Sequence, residues 1–187
     1  LRPSGRQGPV ATSLQSFVDY QSHEAWTWEH LALTRARVLA GDAGLGADIE
    51  AHRRSLLAEK AEGQSIARDV VDMRARLAQA KPQSGSLDVK NGPGRLLDIE
   101  LFAQTLALWS GSPERGVAAQ IAAGLGRDLS QSGAQVLQDA YRLCWTVQCG
   151  ARLLTPDVLE ITALGGGGLA FLLRETGQAT PDALARA

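Results

Sequence analysis

The chain has 187 residues, 44% of them hydrophobic, with 19 basic side chains against 20 acidic ones and a formal net charge of -1. That length is enough for one domain with a sizeable core, and so even a charge balance speaks against nucleic acid or an anionic membrane as the partner. No apolar run nears the ~20 residues of a membrane-spanning helix, and the start lacks the charged-then-apolar pattern of a signal peptide, so a cytoplasmic protein is expected. Cys144 and Cys149 are too few for a disulfide framework and lack the neighbouring Cys or His of a zinc site, so reduced thiols are expected.

The first ten residues hold Pro3, Gly5, Gly8 and Pro9 and read as a strand end or loop. The opening Leu1-Arg2-Pro3-Ser4-Gly5, without an initiator Met, suggests a start inside a longer chain. Ser13 has the chemistry of an N-cap, and the stretch from Leu14 to about Ala40, free of Pro and Gly, predicts one long helix or two abutting ones ended by Gly41. Further helices are expected over 45–57 and 64–80, the latter with Ile66, Val70, Met73 and Leu77 inward and Arg68, Asp72 and Arg76 outward. Residues 81–93 make the one long irregular connection. Helices then follow over 96–109, with Leu97, Leu101, Thr105 and Leu108 buried, and over 117–125. A central helix over 130–148 should bury Val136, Ala140, Leu143 and Val147, widened by Leu137 and Cys144. Thr155 with Pro156 and Asp157 reads as a helix start, and Gly165 to Gly168 as a flexible break before a last helix through Leu172 and Arg174. No alternating strand pattern is present, so the class is all-α, a bundle of about six to eight helices.

Three constellations carry possible chemistry. The first is Tyr20-Gln21-Ser22-His23-Glu24-Ala25-Trp26-Thr27-Trp28-Glu29-His30 with Arg35-Ala36-Arg37. On one continuous helix, Glu24, Trp28, Leu31 and Arg35 share a face, and Glu29, Leu33 and Arg37 another. Either the indoles are core anchors and the charges a solvated face, or an Arg projects towards a phosphate or acidic partner through its bidentate fork. His23 and His30 lack partners at metal-ligand spacing and read as structural or surface residues. The second is the Gly-rich run Leu87 to Arg95 leading into Leu96-Leu97-Asp98-Ile99-Glu100. Backbone N–H groups there could hold an anion neutralised by Lys90, or Asp98 and Glu100 could simply complement the helix dipole. Two residues apart on a helix, these carboxylates point to different sides. The third, Gly165 to Gly168, lacks the Lys-Ser/Thr of a phosphate loop.

In their order along the chain, these segments resemble the bacterial glutamine synthetase adenylyltransferase/adenylyl-removing enzyme family. The resemblance rests on Leu1-Arg2-Pro3-Ser4-Gly5, Thr12-Ser13, Phe17, Tyr20-Gln21, Glu24 to His30, Arg35-Ala36-Arg37, Met73-Arg74, and Asp98-Ile99-Glu100 with Gln104, and covers roughly residues 1–108. Beyond Trp109 only a generic helical tail is discerned. The chain looks like the helical part of the C-terminal, adenylylating unit. That likeness implies residues 1–12 as the tail end of a polymerase-β-like nucleotidyltransferase domain, ending its last strand, and 13–187 as the helical domain that follows.

The resemblance further implies transfer of AMP from ATP, with Mg²⁺, to a tyrosine of glutamine synthetase under control of the PII signalling protein. The metal-binding carboxylates would lie upstream of Leu1, so this chain is expected to be inactive alone and to bind no cofactor tightly. Its residues expected near nucleotide or substrate are Arg2, Glu24, Trp28, Arg35, Arg37, Lys90, Asp98 and Glu100. Where the family usually has Gly-Gly-Ile before Asp-Ile-Glu-Phe, this chain has Gly94-Arg95-Leu96-Leu97 before Asp98, and Leu101 in place of the Phe. A second role compatible with the same residues is a non-catalytic module that docks PII or glutamine synthetase.

Overall fold

The computed structural model describes residues 8–61, 63, 65–85, 87–126, 129–157 and 159–186. Among them the secondary structure is helical, as the periodicity requires, apart from an isolated bridge between Leu125 and Leu129. Contacts divide the chain into two compact units, residues 1–73 with 101–129 and residues 74–100 with 130–187.

The first unit begins with α1, Leu14–His23, whose N-cap Ser13 accepts from the Ser16 N–H through Oγ at 3.1 Å, as expected. The chain then breaks at residues 24–26 and restarts as α2, Thr27–Thr34, so the stretch up to Ala40 is two helices and the second ends well before Gly41. The break has a cause: the Glu24 and Ala25 N–H groups both close on the Tyr20 carbonyl, and Trp26 adopts an extended backbone at the cap of α2. α3 spans Ala43–Lys60, two to three residues beyond the expected helix at each end, because Asp42 caps it with a 2.8 Å bond from the Leu45 N–H. α4, Ile66–Ala80, and α5, Leu96–Trp109, are each divided between the units, and α6, Val117–Ala122, completes the first. Its core holds Leu31, Leu57, Ile66, Leu101 and Leu108, with Val70 and Met73 packed against it. Each fully buried Leu contributes on the order of 1.5–3 kcal/mol relative to an exposed one. A Cβ added at Gly111, φ 64°, would lie 3.2 Å from the Ala58 Cα, an approach that suits glycine.

In the second unit α7, Gln131–Leu154, is capped by Ser130 and runs six residues past the expected end. Its buried stripe is Ala134, Cys144, Val147 and Gly150, while Val136 is 67% exposed. The inward face is thus rotated from the expected one, because a 24-residue helix rich in Ala, Cys and Gly does not mark its face by large apolar residues alone. Thr155 does not start a helix: it ends α7, its Oγ1 accepts from the Asp157 N–H, and the next regular element is a short 3-10 helix at Ile161–Ala163. α8, Gly166–Thr176, begins directly at Gly165, so these glycines form a helical first turn and not a linker. It stops at Gly177, φ 66°, where the Gly177 and Gln178 N–H groups bond back to Arg174 and Leu173 in a Schellman-type close. α9, Pro181–Arg186, was not expected from periodicity. The core here gathers Leu87, Val89, Leu96, Cys144, Val147, Leu159, Leu172 and Leu184.

Candidate functional site

The break between α1 and α2 builds the most constrained local structure in the tryptophan-rich segment. Glu29, 1% exposed, accepts from the Trp26 N–H at 3.0 Å, closing the first turn of α2 from its third position. The Tyr20 hydroxyl, on α1, donates to the same carboxylate at 3.1 and 3.0 Å. His30 is also buried, and its Nε2 donates to the Gln21 carbonyl at 3.0 Å. Burial holds the imidazole pKa below its ordinary 6.5, with Lys60 acting in the same direction and the Gln21 bond and two carboxylates opposing. Lys60 Nζ donates to Ser22 O at 3.1 Å, so α3 ends by capping α1.

This geometry inverts the simplest expectation for the segment. The carboxylate of Glu29 is inside, while Trp26 is 70% and Trp28 48% exposed, so neither indole anchors the core. Glu24 is the C-cap of α1 and not part of α2, which removes it from the helical face of Trp28 and Leu31. Arg35 caps the C-terminus of α2, and Arg37 lies beyond the helix and is exposed. His30 is structural, as expected, and His23 sits at the surface with Nδ1 3.0 Å from Asp19 O.

Behind residues 33–40 lies a second network. Arg53, 3% exposed, donates to Leu33 O, Thr34 O, Pro113 O and Glu50. Glu50 also accepts from Arg54 at 2.9 Å and from Arg115, which bonds Ala36 O as well. The Arg53 hydrogen bond, aided by the charges of Arg53 and Arg115, draws the Glu50 pKa below its ordinary 4.5. Gln120, fully buried, donates to Thr34 Oγ1 and Glu114 O. These bonds tie the chain after α2 to α3, and between them opens an apolar groove of about 460 Å³ walled by Phe17, Leu33, Val38, Leu39 and Ile49 with Arg37 at its lining.

In the second unit, the loop into α5 does not present a free anion cradle. The Leu96 and Leu97 N–H groups bond to Val89 O and Lys90 O, and the Gly94 N–H bonds to Asp98 Oδ2 at 2.9 Å. Asp98 is held by Arg74 through two bonds of 3.0 and 2.7 Å, which raises the guanidinium pKa. Asp88 organises the loop by accepting from Ser84, Lys90 and Asn91. Burial pushes its pKa up, and the bonds from Asn91 and Ser84 outweigh that and leave it lowered. Lys90 is exposed, and Glu100 lies two residues beyond Asp98 on α5. Burial raises the pKa of the Cys144 thiol, while Cys149 is exposed, and both are free.

The residues expected near nucleotide or substrate therefore fall into two sets, with Glu24, Trp28, Arg35 and Arg37 in the first unit and Lys90, Asp98 and Glu100 in the second; Arg2 lies outside the described residues. Three of the buried or partly buried carboxylates are engaged by internal partners. Asp98 is taken up by Arg74 and Gly94, Glu29 by Tyr20 and Trp26, Glu50 by three guanidinium groups, and among the described residues no three His, Cys, Asp or Glu side chains come together as a metal site. Sequence reasoning did not single out Arg53, Glu50, Arg115 or Gln120. Arg115 and Glu50 are 65 residues apart, and no local pattern links them.

The break between α1 and α2 lies in the stretch that a family model recognises: the model for glutamate-ammonia ligase adenylyltransferase matches residues 1–52. A bifunctional glutamine synthetase adenylyltransferase/adenylyl-removing enzyme from Bradyrhizobium diazoefficiens is 45% identical over 154 residues, covering 82% of this chain and 14% of its own. The enzyme of that name from Rhodopseudomonas palustris strain BisB5 is 42% identical over 181 residues, 93% of this chain and 18% of its own. That from Rhizobium meliloti is 50% identical over 117 residues, 63% and 12%. An alignment over 93% of the chain runs far past Trp109, so the stretch after Trp109 is part of the related sequence and not a generic helical tail. The chain spans less than a fifth of the length of these relatives. Over the stretch they share, the chain belongs to the glutamine synthetase adenylyltransferase/adenylyl-removing family.

Proposed function

We propose that this chain is the helical part of the C-terminal, adenylylating unit of a bifunctional enzyme that transfers AMP from ATP to a tyrosine of glutamine synthetase and regulates nitrogen assimilation. Residues 1–12 are taken as the tail end of the nucleotidyltransferase domain and 13–187 as the helical domain. The observation that carries the reading is identity of 40–50% to enzymes of that name over most of this chain but under a fifth of theirs. The carboxylates seen here support it, since Glu29, Glu50 and Asp98 are bound to internal partners and serve as struts. ATP and its Mg²⁺ then belong to the rest of the parent chain, in the cytoplasm. This part contributes a rigid base from which Trp26, Trp28 and Arg37 project, and glutamine synthetase and PII are the outside partners.

The test is complementation. A parent enzyme trimmed of this stretch should lose AMP transfer to purified glutamine synthetase and regain part of it when the 187-residue chain is added. Full activity in the trimmed enzyme would exclude a role for this domain in the reaction.

A further inference from the structure

The apolar groove of about 460 Å³ beside α3 is lined by Phe17, Leu33, Ala36, Val38, Leu39 and Ile49. Its volume falls within the range of about 300–1,000 Å³ typical of binding clefts. Its outer lip is apolar as well, for Leu39 is 80% and Val38 45% exposed, and large exposed side chains grouped around a cleft mark an interaction surface. The groove is held open from below. Arg53 fastens the Leu33 and Thr34 carbonyls at the end of α2 to α3, and Arg115 fastens that of Ala36, so residues 33–36 are held by side-chain bonds in addition to the closing turn of α2. A floor fixed in this way accepts a partner without first having to be ordered.

The charge around the groove is one-sided. The exposed Arg37 lines it with Arg53 and Glu50, and Glu50, its one lining carboxylate, is paired with Arg53, Arg54 and Arg115. With Glu50 already matched by three guanidinium groups, the excess charge of the lining is positive and Arg37 is its exposed cation, which favours an occupant that brings carboxylates with its apolar side chains. Given that over four-fifths of each related polypeptide lies outside the aligned stretch, the most abundant local source of such a segment is the parent chain itself, at the high effective concentration of a tethered partner.

We infer that this groove is an intramolecular docking site, taking an amphipathic segment with bulky apolar anchors and flanking Asp or Glu from a part of the parent chain outside these 187 residues. The inference rests on the reading that the chain is one part of a larger transferase.

The test places the photo-reactive residue benzoylphenylalanine at Leu39 in the full-length parent enzyme, with illumination in the presence of glutamine synthetase and mapping of the cross-linked peptides by mass spectrometry. The expected product joins residue 39 to an acidic, apolar peptide of the same polypeptide, and its yield drops several-fold when Arg37→Glu is added. Cross-links to glutamine synthetase or to a second copy, or no cross-link at all, would overturn the inference, as would a yield indifferent to Arg37→Glu. AMP transfer measured on the same preparation reports separately on the transferase reading, so the two can fail independently.

Discussion

Glu29 shows how much one buried carboxylate organises. It is 1% exposed, closes the first turn of α2 through the Trp26 N–H and receives the Tyr20 hydroxyl from α1. Glu29→Ala removes the acceptor of these bonds from a buried position and should destabilise the chain by about 1–3 kcal/mol, read as a lowered urea midpoint, whereas Trp26→Ala, at a side chain 70% exposed, should shift it by no more than ~0.5 kcal/mol. Larger loss at Trp26 than at Glu29 would contradict the inversion of inside and outside described above. His30 gives a pH signature. Its folded pKa lies below 6.5, so as pH falls the unfolded chain takes up the proton first, and the stability tied to the neutral ring is present above 6.5 and lost below it. Wild type should therefore lose more stability than His30→Gln between pH 7.5 and 5.5, a window separate from that of Glu50, whose lowered pKa matters only below about 4.5.

At the scale of elements, α7 and α8 set a contrast between two glycines. A Cβ at Gly150 would lie 2.7 Å from Leu172 Cδ2, where α8 packs, while one at Gly167 meets nothing within 4 Å. Gly150→Ala should cost about 1–3 kcal/mol through overpacking, and Gly167→Ala should stabilise by up to about 1 kcal/mol because alanine is the better helix former; thermal melts of the two variants check both. The same pair explains what the sequence could reveal. The inward row of α4, Ile66 with Val70, Met73 and Leu77, and the bounds of α5 followed from large apolar residues at helical spacing. The glycine run at 165–168 was misread as a linker because propensity alone disfavours Gly in helices, and here the following apolar residues of α8, packed on α7, override it. The break at 24–26 was equally hidden, because nothing in its composition breaks a helix and its cause is a buried carboxylate three residues past the cap.

At the scale of the molecule, each unit has its own core, and α5 supplies Leu96 to one and Leu101 and Leu108 to the other, which accounts for a helix apolar on nearly every side. The identity of the tryptophan-rich block was legible from sequence, but the groove beside it was not, since its floor depends on Arg53 and Arg115 meeting carbonyls that are distant along the chain. On the function proposed above, the metal-binding carboxylates belong to the remainder of the parent enzyme. The most direct measurement is AMP transfer from ATP, with Mg²⁺, to purified glutamine synthetase, comparing the 187-residue chain alone with the whole parent enzyme. Transfer by the parent and none by the chain alone is the expected result. Transfer by the chain alone would mean that these residues hold a catalytic centre of their own and would contradict the accessory role.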